Sequence, residues 1–134
     1  MRFPRLTMAL TTARPAARPD ESMNGSVAMA WILLSIAGLL EIAFALSMKS
    51  SEGFTRWIPG LLTVATGVSS VFLLSLSLRT LPVGTGYAVW TGIGAAGTAI
   101  LGMALLGDSV APMRVLCIAL ILAGVIGLKL VSSP

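Results

Sequence analysis

One carboxylate breaks an otherwise uncharged apolar run: Glu41 lies between about Val27 and Met48, and its neighbours at three- and four-residue helical spacing are Ala37, Gly38, Phe44 and Ala45. An acidic side chain near the centre of a membrane helix costs about 2.5 to 3.5 kcal/mol on insertion scales, so it faces protein or a water-filled cavity. Small flanking side chains leave room there for a cation. Burial favours the neutral carboxyl and a bound cation favours the ionised one, so a proton and a cation compete for one group. That competition is what an exchanger requires. The blander reading is a protonated Glu41 acting as hydrogen-bonding glue between helices.

Aromatic and hydroxyl residues supply the rest of a candidate cation site. Tyr87 and Trp90 are three apart on a later run and share a face that continues through Gly94 and Gly97. Aromatic faces attract organic cations by about 0.5 to 2 kcal/mol each, although Tyr and Trp near the start of a span also serve as interfacial anchors. Thr63, Gly67, Ser70 and Ser77 recur near heptad spacing as one polar stripe. Thr63 and Ser77 read as helix glue, whereas Ser70, nearest the middle, is placed to hydrogen-bond Glu41 or a substrate N–H. Gly92 and Gly94 either let the helix bend or let a neighbour pack closely. Cys117 and Gly124, seven apart, share a face that reads as a small-residue dimer contact.

The elements that must position these groups are four spanning helices. Of 134 residues 56% are hydrophobic and 10% charged, and mean hydropathy is +0.95, which excludes a soluble globular domain. A span needs about 20 mostly apolar residues, and four such runs occur at about 30–48, 57–78, 83–106 and 113–131. The turn from Lys49 to Arg56 separates the first two. Arg79, Thr80 and Pro82 close the second, because proline cannot continue the helical ladder, and Gly107, Asp108, Pro112 and Arg114 form the next turn. The expected fold is therefore all-α and integral to a lipid bilayer, with one four-helix transmembrane domain over residues 29–134. Residues 1–28, rich in Arg, Pro, Thr and Ala, contain no signal-peptide core and read as a disordered extension or an over-assigned start.

Several function classes drop out. With one cysteine and no histidine, neither a disulfide framework, nor a Cys/His metal site, nor a Ser/His/Asp triad can be assembled. No enzyme, cofactor or metal is expected. The net charge of +4 includes Arg2, Arg5, Arg14 and Arg18 ahead of the spans, and no basic stripe interleaved with aromatics tracks a nucleic acid. Charge bias bears on topology instead. From Met29 onward one side of the membrane holds Arg79 and Lys129 and the other Lys49, Arg56 and Arg114, which is too even to dictate orientation; the four extension arginines would place the N-terminus in the cytoplasm. A balanced chain can insert both ways and pair with itself.

Taken together, these residues resemble the small multidrug resistance family, most closely its guanidinium-exporter branch. The matching stretches are Gly38-Leu39-Leu40-Glu41, Glu52-Gly53-Phe54-Thr55-Arg56, Leu81-Pro82-Val83-Gly84-Thr85, the run from Tyr87 to Gly94, and Gly127-Leu128-Lys129-Leu130. The resemblance implies a proton-coupled antiporter of small organic cations in the bacterial inner membrane, built as an antiparallel, dual-topology homodimer or as a pair with a homologous chain. It further implies that Glu41 binds protons or substrate, that Ser70, Tyr87 and Trp90 contact substrate, and that the stretch from Gly92 to Gly94 is the hinge for alternating access. Beside the glutamate the guanidinium branch usually carries a tryptophan. Phe44, the corresponding substrate-binding candidate here, keeps a ring face but lacks the indole N–H donor. Broader quaternary ammonium efflux is the runner-up. Outside the family, a proton-carrying proteolipid of a rotary ATPase would leave the Tyr87 and Trp90 pair without a role, and a purely structural assembly subunit would keep its phenotype in Glu41→Gln.

Overall fold

A computed structural model describes residues 19–132, with side chains from Ser22 onward. Within them the chain forms α1 (Pro19–Ser50), α2 (Trp57–Ser77), α3 (Val83–Leu105) and α4 (Pro112–Val131), and no strand. Each contains a segment long and apolar enough to cross a membrane. Four such helices are the architecture of a multi-pass membrane protein.

α1 differs from expectation at its start. It begins at Pro19, about ten residues before the expected span, so part of the supposed extension is helical; residues 1–18 lie outside the described residues. Proline is favoured at a first helical position because its missing N–H would find no partner there anyway. At 1.5 Å per residue the 32 residues of α1 run about 48 Å, well beyond a hydrocarbon core of about 30 Å.

The turns are short because local groups satisfy their backbones. After α1, Glu52, Gly53 and Phe54 are all left-handed, with φ of 49°, 71° and 65°. Two of them are not glycine, and such a run persists only where its surroundings fix it. Ser51 does so: buried, it donates to the Met48 carbonyl at 2.7 Å, accepts the Phe54 N–H at 3.2 Å, and takes the Arg56 N–H on its own carbonyl at 3.1 Å. Pro82, with φ −57° and ψ 138°, separates α2 from α3. Pro112 opens α4 at its first position.

α1 is the hub of the bundle. It packs along α2 and α3, which scarcely touch each other, while α4 packs on α3 and reaches α1 through Lys129, whose Nζ lies 5.6 Å from the centre of the Trp31 ring. Leu34 and Ala37 of α1 are fully buried against Leu74, Leu81 and Val89. Close approach of α1 to α3 depends on absent side chains: a Cβ at Gly38 would fall 2.7 Å from Ile93, and one at Gly97 would strike Ile42. Large apolar residues such as Leu61, Val68, Phe72 and Leu120 point outward and are more than half exposed, as expected where hydrocarbon is the solvent.

Candidate cation-binding site

Glu41 sits half-buried in the α1·α3 seam, two-thirds of the way along its helix. Its side chain lies against Gly94, where an added Cβ would come within 2.8 Å of Glu41 Cγ and 3.2 Å of its Cβ. Gly94 is therefore a wall of the site. Sequence reasoning placed it on the face shared by Tyr87 and Trp90 and read it as a point of bending or close packing, not as a wall, because a missing side chain carries no chemical signature of its own.

Ser70 of α2 ties the carboxylate to an aromatic. The serine is fully buried, and its Oγ lies 3.1 Å from Glu41 Oε2 and 2.8 Å from the Ala37 carbonyl oxygen, while Trp90 Nε1–H donates to it at 3.0 Å. A serine hydroxyl has one proton and two lone pairs. When Glu41 is ionised, that proton is contested between the carboxylate and the Ala37 carbonyl. When Glu41 is protonated, its O–H donates to Ser70 Oγ, Ser70 donates to Ala37, Trp90 fills the second lone pair, and every group is satisfied.

The carboxylate opens on a cavity of about 470 Å³ lined by Ala45, Trp90, Thr91, Gly94, Ala95 and Thr98 among others, and by Asp108 and Arg114 at one end. Thr91, Gly94, Ala95 and Thr98 follow at three- and four-residue spacing, so one face of α3 forms a wall of small and hydroxyl side chains. That periodicity was available in the sequence, but the face it addressed depended on how α3 docks on α1.

Other sequence-predicted residues lie apart. Tyr87 is half exposed and does not line the cavity; its ring meets Trp90 edge-on, with centroids 5.1 Å apart and planes at 66°. Phe44 also turns away from it. Its ring covers Gly67, where a Cβ would fall 2.8 Å from the ring, and it lines a separate apolar groove with Val64, Val68 and Val71. Lacking an N–H to offer Glu41, an all-carbon ring gains more from an apolar groove than from a carboxylate. Gly92 faces α4 and takes the side chain of Val125, and α3 is one continuous helix through both Gly92 and Gly94. Thr63 links to Ser47 of α1 at 3.2 Å, and Ser77 bonds its own helix at the Leu74 carbonyl. Cys117 is exposed, and nothing lies within 4 Å of a Cβ built at Gly124, so that face of α4 has no partner within the described chain.

Four membrane-length helices with one carboxylate, Glu41, within the spans, an indole reached through a serine and a cavity beside it define a small multi-pass membrane protein with an intramembrane acidic site. Residues 29–121 match the family described as Small Multidrug Resistance protein. Over 104 residues the chain is 58% identical to the guanidinium exporter of Yersinia pseudotuberculosis serotype I, covering 78% of this chain and all of that protein. The guanidinium exporters of Citrobacter freundii and of Salmonella typhimurium strain LT2 are 57% and 55% identical over 102 residues, covering 76% of this chain and 97% of each of them. The chain belongs to the small multidrug resistance family.

Proposed function

We propose that this protein is a transporter, not an enzyme, and that it exports small organic cations, guanidinium-type substrates foremost, across the bacterial inner membrane in exchange for protons. One observation carries the reading: the single carboxylate within the four spans lines a cavity large enough for a small cation and is wired through Ser70 to Trp90. Glu41 holds either a proton or the cation. Trp90 presents an aromatic wall, and Tyr87 acts through its edge contact with Trp90. The relatives' name, guanidinium exporter, supports the substrate class.

The working unit is an antiparallel pair, either two copies or this chain with a homologous one. α4 buries little of its surface within the chain and offers Cys117 and Gly124 on an uncovered face, where small residues let a second helix approach. Bending of α3 at Gly92 and Gly94 exchanges the side to which the cavity opens. A second substrate class, small quaternary ammonium ions, is favoured by one feature: Phe44 leaves the Glu41 cavity and lines an apolar groove beside it.

The test is proton movement in liposomes holding the full chain when guanidinium or tetramethylammonium is added, with Glu41→Gln as control. Guanidinium-driven, Glu41-dependent flux supports the reading as stated. Flux driven by tetramethylammonium alone moves the protein to the broader class, and flux with neither, or flux unchanged in Glu41→Gln, overturns it.

A further inference from the structure

The end of the Glu41 cavity remote from Ser70 is built from the turn after α3. Gly107 is left-handed, with φ 72°, and the Asp108 N–H returns to the Gly102 carbonyl at 3.2 Å, an acceptor six residues back that it shares with the Leu106 N–H at 3.0 Å. This folds Asp108 back over α3. A Cβ at Gly102 would fall 2.5 Å from Asp108 Oδ2, so the carboxylate occupies space that only glycine leaves open. From there Asp108 lines the same cavity as Glu41.

Asp108 already holds a guanidinium. Arg114 Nη2 donates to Oδ2 at 3.0 Å, its Nη1 donates to the Ser109 carbonyl at 3.3 Å, and Lys49 Nζ lies 3.9 Å from Oδ1. About a third of each side chain of the Asp108–Arg114 pair is exposed, at 34% and 38%, so the pair is solvated and exchangeable rather than locked. Glu41 lies against Gly94 and Asp108 against Gly102, eight residues further along α3, which sets the two carboxylates about 12 Å apart along that helix axis. The cavity therefore has two carboxylate stations, too far apart for one small cation to touch both.

Resting on the exporter reading, we infer that Asp108 is an outer binding station for guanidinium-type cations and that the Arg114 guanidinium occupies it when substrate is absent. An arriving cation displaces Arg114 from Asp108 and then passes along the Thr91 and Thr98 wall to Glu41. Asp108 has a second effect: it offsets the charges of Arg114 and Lys49, which would otherwise repel a cation at the rim. The two partners of the ion pair thus act in opposite senses on the substrate. Asp108 attracts it and Arg114 competes with it.

Opposite signs make the inference testable in the full chain. Guanidinium-driven proton flux is measured in liposomes at low ionic strength for Asp108→Asn, Asp108→Glu and Arg114→Ala. Asp108→Asn raises KM about two- to fivefold, Arg114→Ala lowers it about twofold, and Asp108→Glu, which keeps the charge, stays nearer the original value. An ion pair that only braces the turn predicts damage in the same direction from both Asp108→Asn and Arg114→Ala, and that result overturns the inference. A binding measurement separates its failure from that of the exporter reading: guanidinium is titrated into Glu41→Gln protein while the Asp108 and Arg114 amides are followed by NMR. A residual, saturable shift that Asp108→Asn removes is expected whether or not transport occurs. No such shift refutes the outer station while leaving Glu41-dependent flux to stand by itself.

Discussion

Gly94→Ala places a methyl group against the inner carboxylate. The new Cβ would lie 2.8 Å from Glu41 Cγ and 3.2 Å from its Cβ, against about 3.5–4.0 Å for carbon atoms at optimal contact. Relief requires Glu41 to shift by roughly 0.7 Å or more, or α1 and α3 to part. The bond from Ser70 to Glu41 Oε2 is 3.1 Å before any shift, already beyond the usual O–H···O range of about 2.5–3.0 Å, so displacement of this size breaks it. A hydrogen bond to a charged group contributes about 1.5–3 kcal/mol. Glu41 is only half-buried and borders a cavity, so the lower figure applies, which is about tenfold in apparent cation affinity.

The assay is guanidinium titration of proton flux in liposomes, with direct binding measured on the same protein, and Gly92→Ala is the comparison. A Cβ at position 92 meets Val125 on α4 and not Glu41. Gly94→Ala is expected to weaken binding about tenfold while Gly92→Ala leaves binding near its original value and slows turnover. If both variants bind guanidinium normally and lose turnover alike, Gly94 serves as a bending point and the wall argument is wrong.

Three further outcomes follow from the same geometry. Trp90→Phe removes the N–H that fills Ser70 and lowers apparent guanidinium affinity about fivefold, the equivalent of roughly 1 kcal/mol, with Ser70 left buried and short of a donor; titration of proton flux checks it. Phe44→Leu changes guanidinium KM by no more than about twofold, because its ring lies on Gly67 and outside the Glu41 cavity, and a larger change would place the ring in the binding site. Transport rate passes through a maximum as pH is varied, since protons outcompete substrate on the acid side and on the alkaline side no proton returns; a rate flat across the titration range would show that one group does not serve both ligands.

The spans were legible because about 20 apolar residues in a row admit little else, and Glu41 stood out because a charge in such a run is costly. Ser70 followed from the spacing of one polar stripe. Legibility failed where function depends on a neighbour's position. Gly94 and Thr98 carry no distinctive chemistry, and their role follows from the docking of α3 on α1. Asp108 and Arg114 read as ordinary turn residues because the backbone bond that folds Asp108 over Gly102 is a property of the three-dimensional turn. Phe44 shares the correct face of α1 by spacing, yet a side-chain rotation decides between the carboxylate and the groove.

Ser70 gives the site a property that no one of its members has alone. Its single proton cannot satisfy both the Ala37 carbonyl and an ionised Glu41, so loss of the Glu41 proton leaves one acceptor on α1 without that donor. The Ala37 carbonyl also belongs to the helical ladder and tolerates the loss better than a carboxylate does. On the exporter reading, a cation arriving beside Glu41 supplies the missing positive partner for the carboxylate and frees the Ser70 proton to return to Ala37. Proton and cation thereby restore the same hydrogen-bond arrangement by different means, and the state with neither bound is the one left unsatisfied.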